Sequence, residues 1–289
     1  MKQTDFKILS SCEIAPRIFR MEVYAPLIAA SALPGQFVIV RTDALGERIP
    51  LTICDYDTEK GYIVLVTQIV GRSSDKICSL KVGDCFADVV GPLGNPSDFV
   101  KMNPDELAAT KWLFVAGGVG TAPVYPQAKW LHQRGIQADV IIGARNKSLF
   151  TYVDEMREVA NVHLCTDDGS EGFHGLVTEL MADLVNKQGK HFDRVVIIGP
   201  MIMMKFAARA ASELGIPSVV SLNALMVDGT GMCGACRVSV GGKTLFTCVD
   251  GPEFDGSLVD FDEAMRRQNM YRGNKKTEYD PNHKCECHG

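Results

Sequence analysis

A cysteine-containing loop near the end of the chain constrains the fold more than any other segment. Its acidic and thiol side chains follow the spacing D-x4-C-x2-C-x11-C, formed by Asp228, Cys233, Cys236 and Cys248. A plant-type [2Fe–2S] loop has the spacing C-x4-C-x2-C with a distant fourth cysteine, so an aspartate occupies the first position here. Carboxylates and thiolates are both anionic, and the intervening glycines allow the backbone to wrap closely around a cluster. We therefore predict a [2Fe–2S] site with these four ligands. A zinc knuckle and a buried cysteine cluster are the alternatives.

The composition is that of a globular protein without nucleic-acid or membrane signals. A chain of 289 residues can form two domains and a small third module. The net charge of −5 argues against general nucleic-acid binding. The sequence contains no run of 18 apolar residues, so no membrane span is expected. The first residues also lack the apolar core of a signal peptide.

Several further cysteines lie singly in apolar or strand-like segments and are predicted to be reduced core residues. They are Cys12, Cys54, Cys78, Cys85 and Cys165. Free thiols beside a candidate cluster indicate the reducing cytoplasm.

Residues 1–105 carry the pattern of a small antiparallel β-barrel. Short segments rich in β-branched and aromatic residues are separated by Gly, Pro and Asp turns. The predicted strands are FKILSSCEIA, IFRMEVYA, QFVIVRT, IPLTICDYD and YIVLVTQIV. One helix is expected at residues 71–80, with Ser73 or Ser74 as its N-cap.

Residues 106–220 change to a pattern of strands that alternate with helices. Continuous apolar runs such as WLFVAGG and RVVIIGP alternate with helical segments, which predicts a doubly wound parallel sheet. Residues 221–289 form the third module, with the cysteine loop, a strand pair turning at Gly241 and Gly242, and a polar tail.

Glycine or acidic turns follow the predicted parallel strands, where an open α/β sheet binds its ligands. A glycine-rich turn that opens a helix can bind phosphates through free amides, so these turns predict a dinucleotide. Carboxylates in the acidic turn would repel the 2′-phosphate of NADP, so the predicted dinucleotide is NAD(H). Packing turns and capping residues are the alternatives. The residues are Gly117, Gly118, Gly120, Thr121, Asp167, Asp168, Gly199 and Pro200.

Two segments of the barrel form a candidate cradle for a diphosphate. One combines an arginine and a hydroxyl beside a strand, and the other offers amides at a helix start. They contain Arg48, Pro50, Leu51 and Thr52, and Gly71, Arg72, Ser73 and Ser74.

The order of barrel, nucleotide domain and cysteine loop resembles the ferredoxin–NADP reductase superfamily, in the branch of the dihydroorotate dehydrogenase electron-transfer subunit. More closely, the chain resembles the small subunits of NADH-dependent ferredoxin:NADP⁺ oxidoreductases. In the dihydroorotate branch the first cluster ligand is a cysteine, whereas an aspartate is a feature of the closer family. The motifs that carry the resemblance are RIPLTI, VGRSSDKI, AGGVGTAPVYP, DDGS and VDGTGMCGACRV.

The resemblance implies cofactors, a partner and an activity. FAD is expected on the two barrel segments, although Leu51 replaces the family's tyrosine and Arg48 lies one residue further away than the family's arginine. The implied partner is a larger FAD and [4Fe–4S] subunit that handles NADP(H) and ferredoxin, in a heterodimer or higher assembly. The implied activity is electron bifurcation, and hydride transfer itself needs no general acid or base, so no catalytic residue is nominated.

Two other functions remain open at this point. The chain is either the electron-transfer subunit of an NAD-linked dihydroorotate dehydrogenase or a zinc-containing nucleotide-binding module without catalysis. The terminal His283, Cys285, Cys287 and His288 are expected to belong to a solvated tail.

Overall fold

The N-terminal part of the chain forms a seven-stranded antiparallel barrel in the computed structural model, which describes residues 5–270. The elements are β1 (Phe6–Ala15), β2 (Ile18–Tyr24), α1 (Pro26–Ala29), β3 (Phe37–Arg41), β4 (Ile49–Asp57), β5 (Tyr62–Gln68), α2 (Arg72–Cys78), β6 (Cys85–Phe86) and β7 (Asp88–Leu93). The strand order is β6-β1-β2-β5-β4-β3-β7. Only Ala87 separates the two edge strands along the chain, so the backbone itself brings the edges together and nearly closes the barrel.

The barrel is filled by side chains that alternate along its strands. Met21 of β2 lies opposite Leu65 of β5, and each is 1% exposed. Because successive residues of a strand point to opposite faces, every second residue enters the core. The five predicted strands are confirmed.

The predicted barrel helix is confirmed as α2, but the prediction of its N-cap was wrong. Gly71 is the N-cap, in an extended conformation, and Ser74 is the third residue of the helix. The Ser74 hydroxyl accepts hydrogen bonds from the amides of Val70 and Gly71 at 2.9 and 3.0 Å. Ser74 therefore stabilises the helix start by reaching back from inside the first turn.

The central part of the chain is the predicted doubly wound sheet. Its elements are α3 (Pro104–Ala109), β8 (Trp112–Gly117), α4 (Thr121–His132), β9 (Ala138–Ala144), α5 (Val153–Val159), β10 (Ala160–Thr166), β11 (Phe173–His174), α6 (Val177–Asn186), β12 (Arg194–Ile198), α7 (Met201–Glu213) and β13 (Ser218–Ser221). These strands are parallel. Helices α4 and α5 pack on one face of the sheet, and α6 and α7 pack on the other. Every residue of β8 is buried, as expected for a strand covered on both faces.

The last described part of the chain contains the predicted hairpin and then returns to the nucleotide sheet. Its elements are β14 (Arg237–Val240), β15 (Lys243–Phe246), β16 (Glu253–Asp255) and α8 (Phe261–Gln268). The hairpin turns at Gly241 and Gly242, both with positive φ (56° and 76°), as a two-residue turn of this kind requires. Strand β16 pairs antiparallel with β13, so the complete sheet order is β11-β10-β9-β8-β12-β13-β16.

The prediction of core cysteines is correct for three residues and wrong for two. Cys54, Cys78 and Cys165 are buried, whereas Cys12 and Cys85 are exposed. Cys12 faces outward on β1, and Cys85 lies on the edge strand β6. The four histidine and cysteine residues at positions 283–288 lie outside the described residues. Within residues 5–270, every helix is too short or too polar to span a lipid bilayer.

Glu253 of β16 joins the three parts of the chain. Its Oε1 accepts hydrogen bonds from Ser97, which follows the barrel, at 2.8 Å and from the Gln127 side chain of α4 at 2.9 Å. Burial of the carboxyl group raises the pKa of Glu253 to about 7. A raised carboxyl pKa means that the folded protein binds the proton more tightly than the unfolded chain does.

Because of this pKa shift, the free energy of unfolding should be larger at acidic pH, where Glu253 is protonated. This added stability is complete below the usual carboxyl pKa of 4.5 and is lost as the pH rises to about 7. The free energy of unfolding falls by about 3 kcal/mol at most over this range. We expect Glu253→Gln, which stays neutral, to show a flatter decline of unfolding free energy than the wild type between pH 5 and pH 8. Denaturant unfolding measures this decline, and the exposed Glu158→Gln is the control. Equal slopes for wild type and Glu253→Gln would contradict the assignment.

Candidate functional site

The four predicted cluster ligands meet as two pairs. The Cys233 Sγ lies 3.3 Å from Asp228 Oδ1, and the Sγ atoms of Cys236 and Cys248 lie 3.3 Å apart. The two pairs are neighbours: burial and the Cys236 thiol raise the pKa of Cys248, and the nearby Asp228 charge adds to that rise. In a two-iron cluster each iron takes two protein ligands, so the paired arrangement fits the group.

The loop wraps around the carboxylate of Asp228. The amides of Thr230, Met232 and Cys233 donate to its two oxygens at 3.1–3.2 Å, and the Thr230 hydroxyl donates at 3.2 Å. Burial alone would raise the pKa of Asp228, but hydrogen bonds from Thr230 and Cys233 outweigh it and hold this pKa below its usual value. The loop thus directs its amides toward the first ligand position and stabilises an anion there.

The cysteine loop lies directly against the barrel. Cys236 and Cys248 belong to a buried cluster with Phe37 and Ile39 of β3. Gly229 of the loop has φ +79°, and a Cβ there would lie 2.7 Å from side-chain carbons of Ile39 and Leu93. A side chain at this position would push the loop away from the barrel, so the glycine allows the close approach.

The first candidate FAD segment lies on the neighbouring strand, β4. Thr52 pairs with Phe37 and Pro50 with Ile39, so they project on the face that carries the cysteine loop. Leu51 projects to the other face and packs against the barrel core. The Leu51 side chain therefore points into the barrel and away from the face that carries the cysteine loop. In this direction it does not make the flavin-ring contact that the resemblance implies for residue 51.

Arg48 points to the cysteine loop. Its Nε donates to the Val227 carbonyl at 2.7 Å, and its Nη2 lies 3.5 Å from the Asp228 carbonyl. Its Nη1 forms an ion pair with Asp88 at 3.4 Å. The structure thus connects this predicted flavin-binding arginine to the backbone beside Asp228, the predicted first cluster ligand.

The second candidate FAD segment lies beside the first one. The Ser73 hydroxyl donates to the Glu47 carboxylate, next to Arg48. Gly71 is exposed, and a Cβ there would meet no atom within 4 Å, whereas the Ser74 side chain is turned inward. Together with Arg72, this segment offers the first amides of α2, which have no partner inside the helix.

Two of the predicted nucleotide turns are in contact at the carboxyl ends of β8 and β12. A Cβ on Gly199 would lie 3.2 Å from the Cα of Gly117, and a Cβ on Gly120 would overlap the Ile198 carbonyl. The buried Thr121 hydroxyl donates to the Gly118 carbonyl at 3.0 Å, and Gly118 has φ +56°. Pro200 is the N-cap residue of α7. Together the two turns form one glycine-lined surface, the nucleotide floor, at the amino ends of α4 and α7. Such a surface suits a diphosphate.

The acidic turn lies two strands away on the same edge of the sheet. Asp167 and Asp168 follow β10 and are both exposed. Asp168 accepts a hydrogen bond from the Ser170 amide at 2.9 Å, and hydrogen bonding with Ser170 lowers the pKa of Asp168. Both the predicted ribose contact and the alternative capping role are compatible with this position.

Sequence reasoning missed Arg267, a further residue at the cluster loop. It lies on α8, and its Nη2 donates to the Ala235 carbonyl, between Cys233 and Cys236, at 3.2 Å. Its helix has no motif, and the contact joins positions 32 residues apart. No sequence signal marks this arginine.

Comparisons with known proteins agree with this geometry. Residues 223–260 match the model of the iron–sulfur cluster binding domain of dihydroorotate dehydrogenase B, and residues 114–209 match the oxidoreductase NAD-binding domain. The chain is 55% identical to an uncharacterized protein of Clostridium beijerinckii, over 92% of this chain and 90% of that protein. It is 44% identical to a homolog of the dihydroorotate dehydrogenase B (NAD⁺) electron transfer subunit from Thermotoga maritima, over 95% of this chain and 94% of the relative.

Solved structures give the same result. A chain of an NADH-dependent reduced ferredoxin–NADP oxidoreductase, studied for flavin-based electron bifurcation, superposes with a TM-score of 0.86 and 43% identity. That match covers 94% of this chain and 96% of the other. The cytochrome b5 reductase domain of Ulva prolifera nitrate reductase shares the fold alone, with a TM-score of 0.57, 18% identity and coverage of 73% and 92%.

The matches confirm the predicted fold class, with its FAD-type barrel, nucleotide domain and iron–sulfur module. They also confirm FAD, an iron–sulfur cluster and NAD(H) as the cofactors of an oxidoreductase electron-transfer protein. The chain belongs to the family of dihydroorotate dehydrogenase B electron-transfer subunits and their homologues, which has the ferredoxin reductase fold.

Proposed function

We propose that this chain is the NAD(H)-linked electron-transfer subunit of an electron-bifurcating, NADH-dependent ferredoxin–NADP oxidoreductase. The observation that carries the proposal is the aspartate at the first ligand position, around which the loop amides converge. The likeness over 94% of the chain to a chain of such an oxidoreductase supports it.

The bound cofactors supply the redox chemistry, in which NAD(H) exchanges a hydride with FAD and FAD exchanges single electrons with the [2Fe–2S] cluster. The chain's own residues bind and position these groups. Gly117, Gly118 and Gly120 provide the floor for the dinucleotide. Asp228, Cys233, Cys236 and Cys248 hold the cluster, and the last two of these cysteines pack against the barrel.

Relatives described as dihydroorotate dehydrogenase B electron transfer subunits favour a second candidate. They are 30–35% identical to this chain, as in Fusobacterium nucleatum and Methanocaldococcus jannaschii. In that case the chain would deliver electrons from NADH to a dihydroorotate-oxidising subunit. The aspartate at position 228 argues for the first candidate.

The partner and location follow from the first candidate. We infer a larger subunit that carries FAD and [4Fe–4S] clusters and handles NADP(H) and ferredoxin, because the cysteine loop of this chain provides ligands for a single two-iron cluster. The complex is a heterodimer or a higher assembly. Cys12 and Cys85 are exposed and form no disulfide within residues 5–270, which suits the reducing cytoplasm.

Native co-purification tests the proposed function. We expect the anaerobically isolated complex to contain a larger flavin and iron–sulfur subunit and to couple NADPH oxidation to the reduction of both NAD⁺ and ferredoxin. Ferredoxin reduction should require NAD⁺. Orotate-dependent NADH oxidation without ferredoxin reduction would assign the chain to the second candidate, and a colourless protein with one zinc per chain would contradict both.

Asp228→Cys tests the carboxylate ligand. We expect the variant to retain a [2Fe–2S] cluster with a more negative midpoint potential, because a thiolate donates more electron density to iron than a carboxylate does. A redox titration followed by electron paramagnetic resonance (EPR) measures the potential, and Asp250→Asn, on the same module, is the control. An unchanged potential and EPR spectrum would mean that Asp228 is not a ligand.

Gly120→Ala tests the nucleotide floor. The added Cβ would overlap the Ile198 carbonyl, so we expect weaker NADH binding, a stability loss of roughly 1–3 kcal/mol and unchanged FAD content. NADH titration of the purified protein measures the affinity. Gly189→Ala is the control, because Gly189 has φ +67° with open space around it and adds only backbone strain. Wild-type NADH affinity in Gly120→Ala would contradict the assignment.

A further inference from the structure

The backbone of the cluster loop leaves carbonyl groups that need partners. The amides of Thr230, Met232 and Cys233 donate to the Asp228 carboxylate inside the loop, whereas other backbone groups of the loop find partners outside it. A buried or half-buried carbonyl without a partner is costly. Guanidinium groups from two other parts of the chain donate to the carbonyls of Val227, Asp228 and Ala235.

Arg48 approaches the loop from the barrel. Its contacts with the carbonyls of Val227 and Asp228 join positions about 180 residues apart in sequence. The Asp88 carboxylate holds the same guanidinium from the side of β7. The side chain is 30% exposed, so water screens it only in part. Arg48 is therefore fixed between the barrel and the residue that provides the first cluster ligand.

Arg267 approaches the loop from the opposite end. Its contact with the Ala235 carbonyl fixes the two residues between Cys233 and Cys236. Its Nε is buried and has no partner within residues 5–270. The cost of burying this cationic group is offset when an anion lies nearby. The adjacent loop carries the Asp228 carboxylate and three cysteines that would bind a cluster as anionic thiolates.

We propose that Arg48 and Arg267 are positioning residues for the cluster. The two arginines clamp the cysteine loop from both sides and raise the reduction potential of the cluster. The inference rests on the cluster ligands of the proposed function and goes beyond it by assigning two residues that are not ligands. Reduction adds one negative charge to the cluster, so neighbouring cations stabilise the reduced state. Asp88 offsets part of the effect of Arg48, and the remainder acts in the same direction as Arg267. The hydrogen bonds to the backbone keep both cations at a fixed place beside the loop.

Charge-removing and charge-keeping variants test the proposal on the isolated, cofactor-loaded protein. In Arg48→Gln and Arg267→Gln we expect a cluster with a more negative midpoint potential and a broader EPR signal. Arg48→Lys and Arg267→Lys retain the charge and lose the planar donor fork, so their potentials should lie between those of wild type and the Gln variants. Iron, acid-labile sulfide and flavin are counted in each preparation.

Arg266→Gln is the matched control for Arg267, because Arg266 is the exposed neighbour on α8. The exposed Arg157 of α5 gives the control for Arg48. Both controls should keep the wild-type potential. If the Gln variants fail to fold, the Lys variants decide, because a shifted potential or broadened signal in them supports the clamp and wild-type behaviour overturns it.

The other outcomes are distinct. Wild-type potentials in all four variants would overturn the proposal. Loss of FAD from Arg48→Gln with an unchanged cluster potential would assign Arg48 to the flavin and overturn its role in the clamp. Absence of iron and acid-labile sulfide from the wild-type protein itself would contradict the proposed function before any variant is compared.

Discussion

The carboxylate of Asp228, surrounded by amides of its own loop, is the interaction on which the electron-transfer end of the molecule depends. It accepts hydrogen bonds from three amides of its own loop. Arg48 and Arg267 bind carbonyls near the two ends of the same loop. The loop is therefore held from inside by one anionic side chain and is attached to the barrel and to α8 by two arginines.

The barrel contacts both other parts of the chain, which also pack against each other through β13 and β16. On one side Asp55 of β4 forms an ion pair with Lys129 of α4 at 2.9 Å. On the other side Phe37 and Ile39 of β3 pack against the cysteine pair. Because β3 and β4 are neighbouring strands, the two contacts are separated by a short distance across one sheet. The barrel, which has the FAD-binding fold, therefore touches both the nucleotide domain and the cysteine loop, as electron transfer from NAD(H) through FAD to a cluster requires.

Local pattern was enough to predict the five long barrel strands, α2, the alternating elements of the nucleotide domain and the hairpin, because each depends on the periodicity of nearby residues. It did not predict the shorter elements α1, α3, β6, β7 and β16, nor α8. The ligand spacing and the glycine turns were also local. The direction of Arg48 was not, because its partner Val227 lies 179 positions further along the chain. The pairing of β16 with the nucleotide sheet was also not predictable, because its partner strand is distant in sequence. Nor were the contacts of Glu253, whose partners come from two other segments. Such residues acquire their roles only when distant segments pack together.

The departures of the barrel segment from the family pattern now have a physical explanation. Leu51 packs against the barrel core instead of presenting an aromatic ring, and Arg48, one residue further away, reaches the cluster loop. All three guanidinium nitrogens of Arg48 are engaged by the loop carbonyls and by Asp88, so the proposed flavin site would take its phosphate contacts from the backbone amides at the start of α2. In the proposed arrangement the guanidinium lies beside the cysteine loop, where the part of its charge that Asp88 does not offset favours the arrival of an electron.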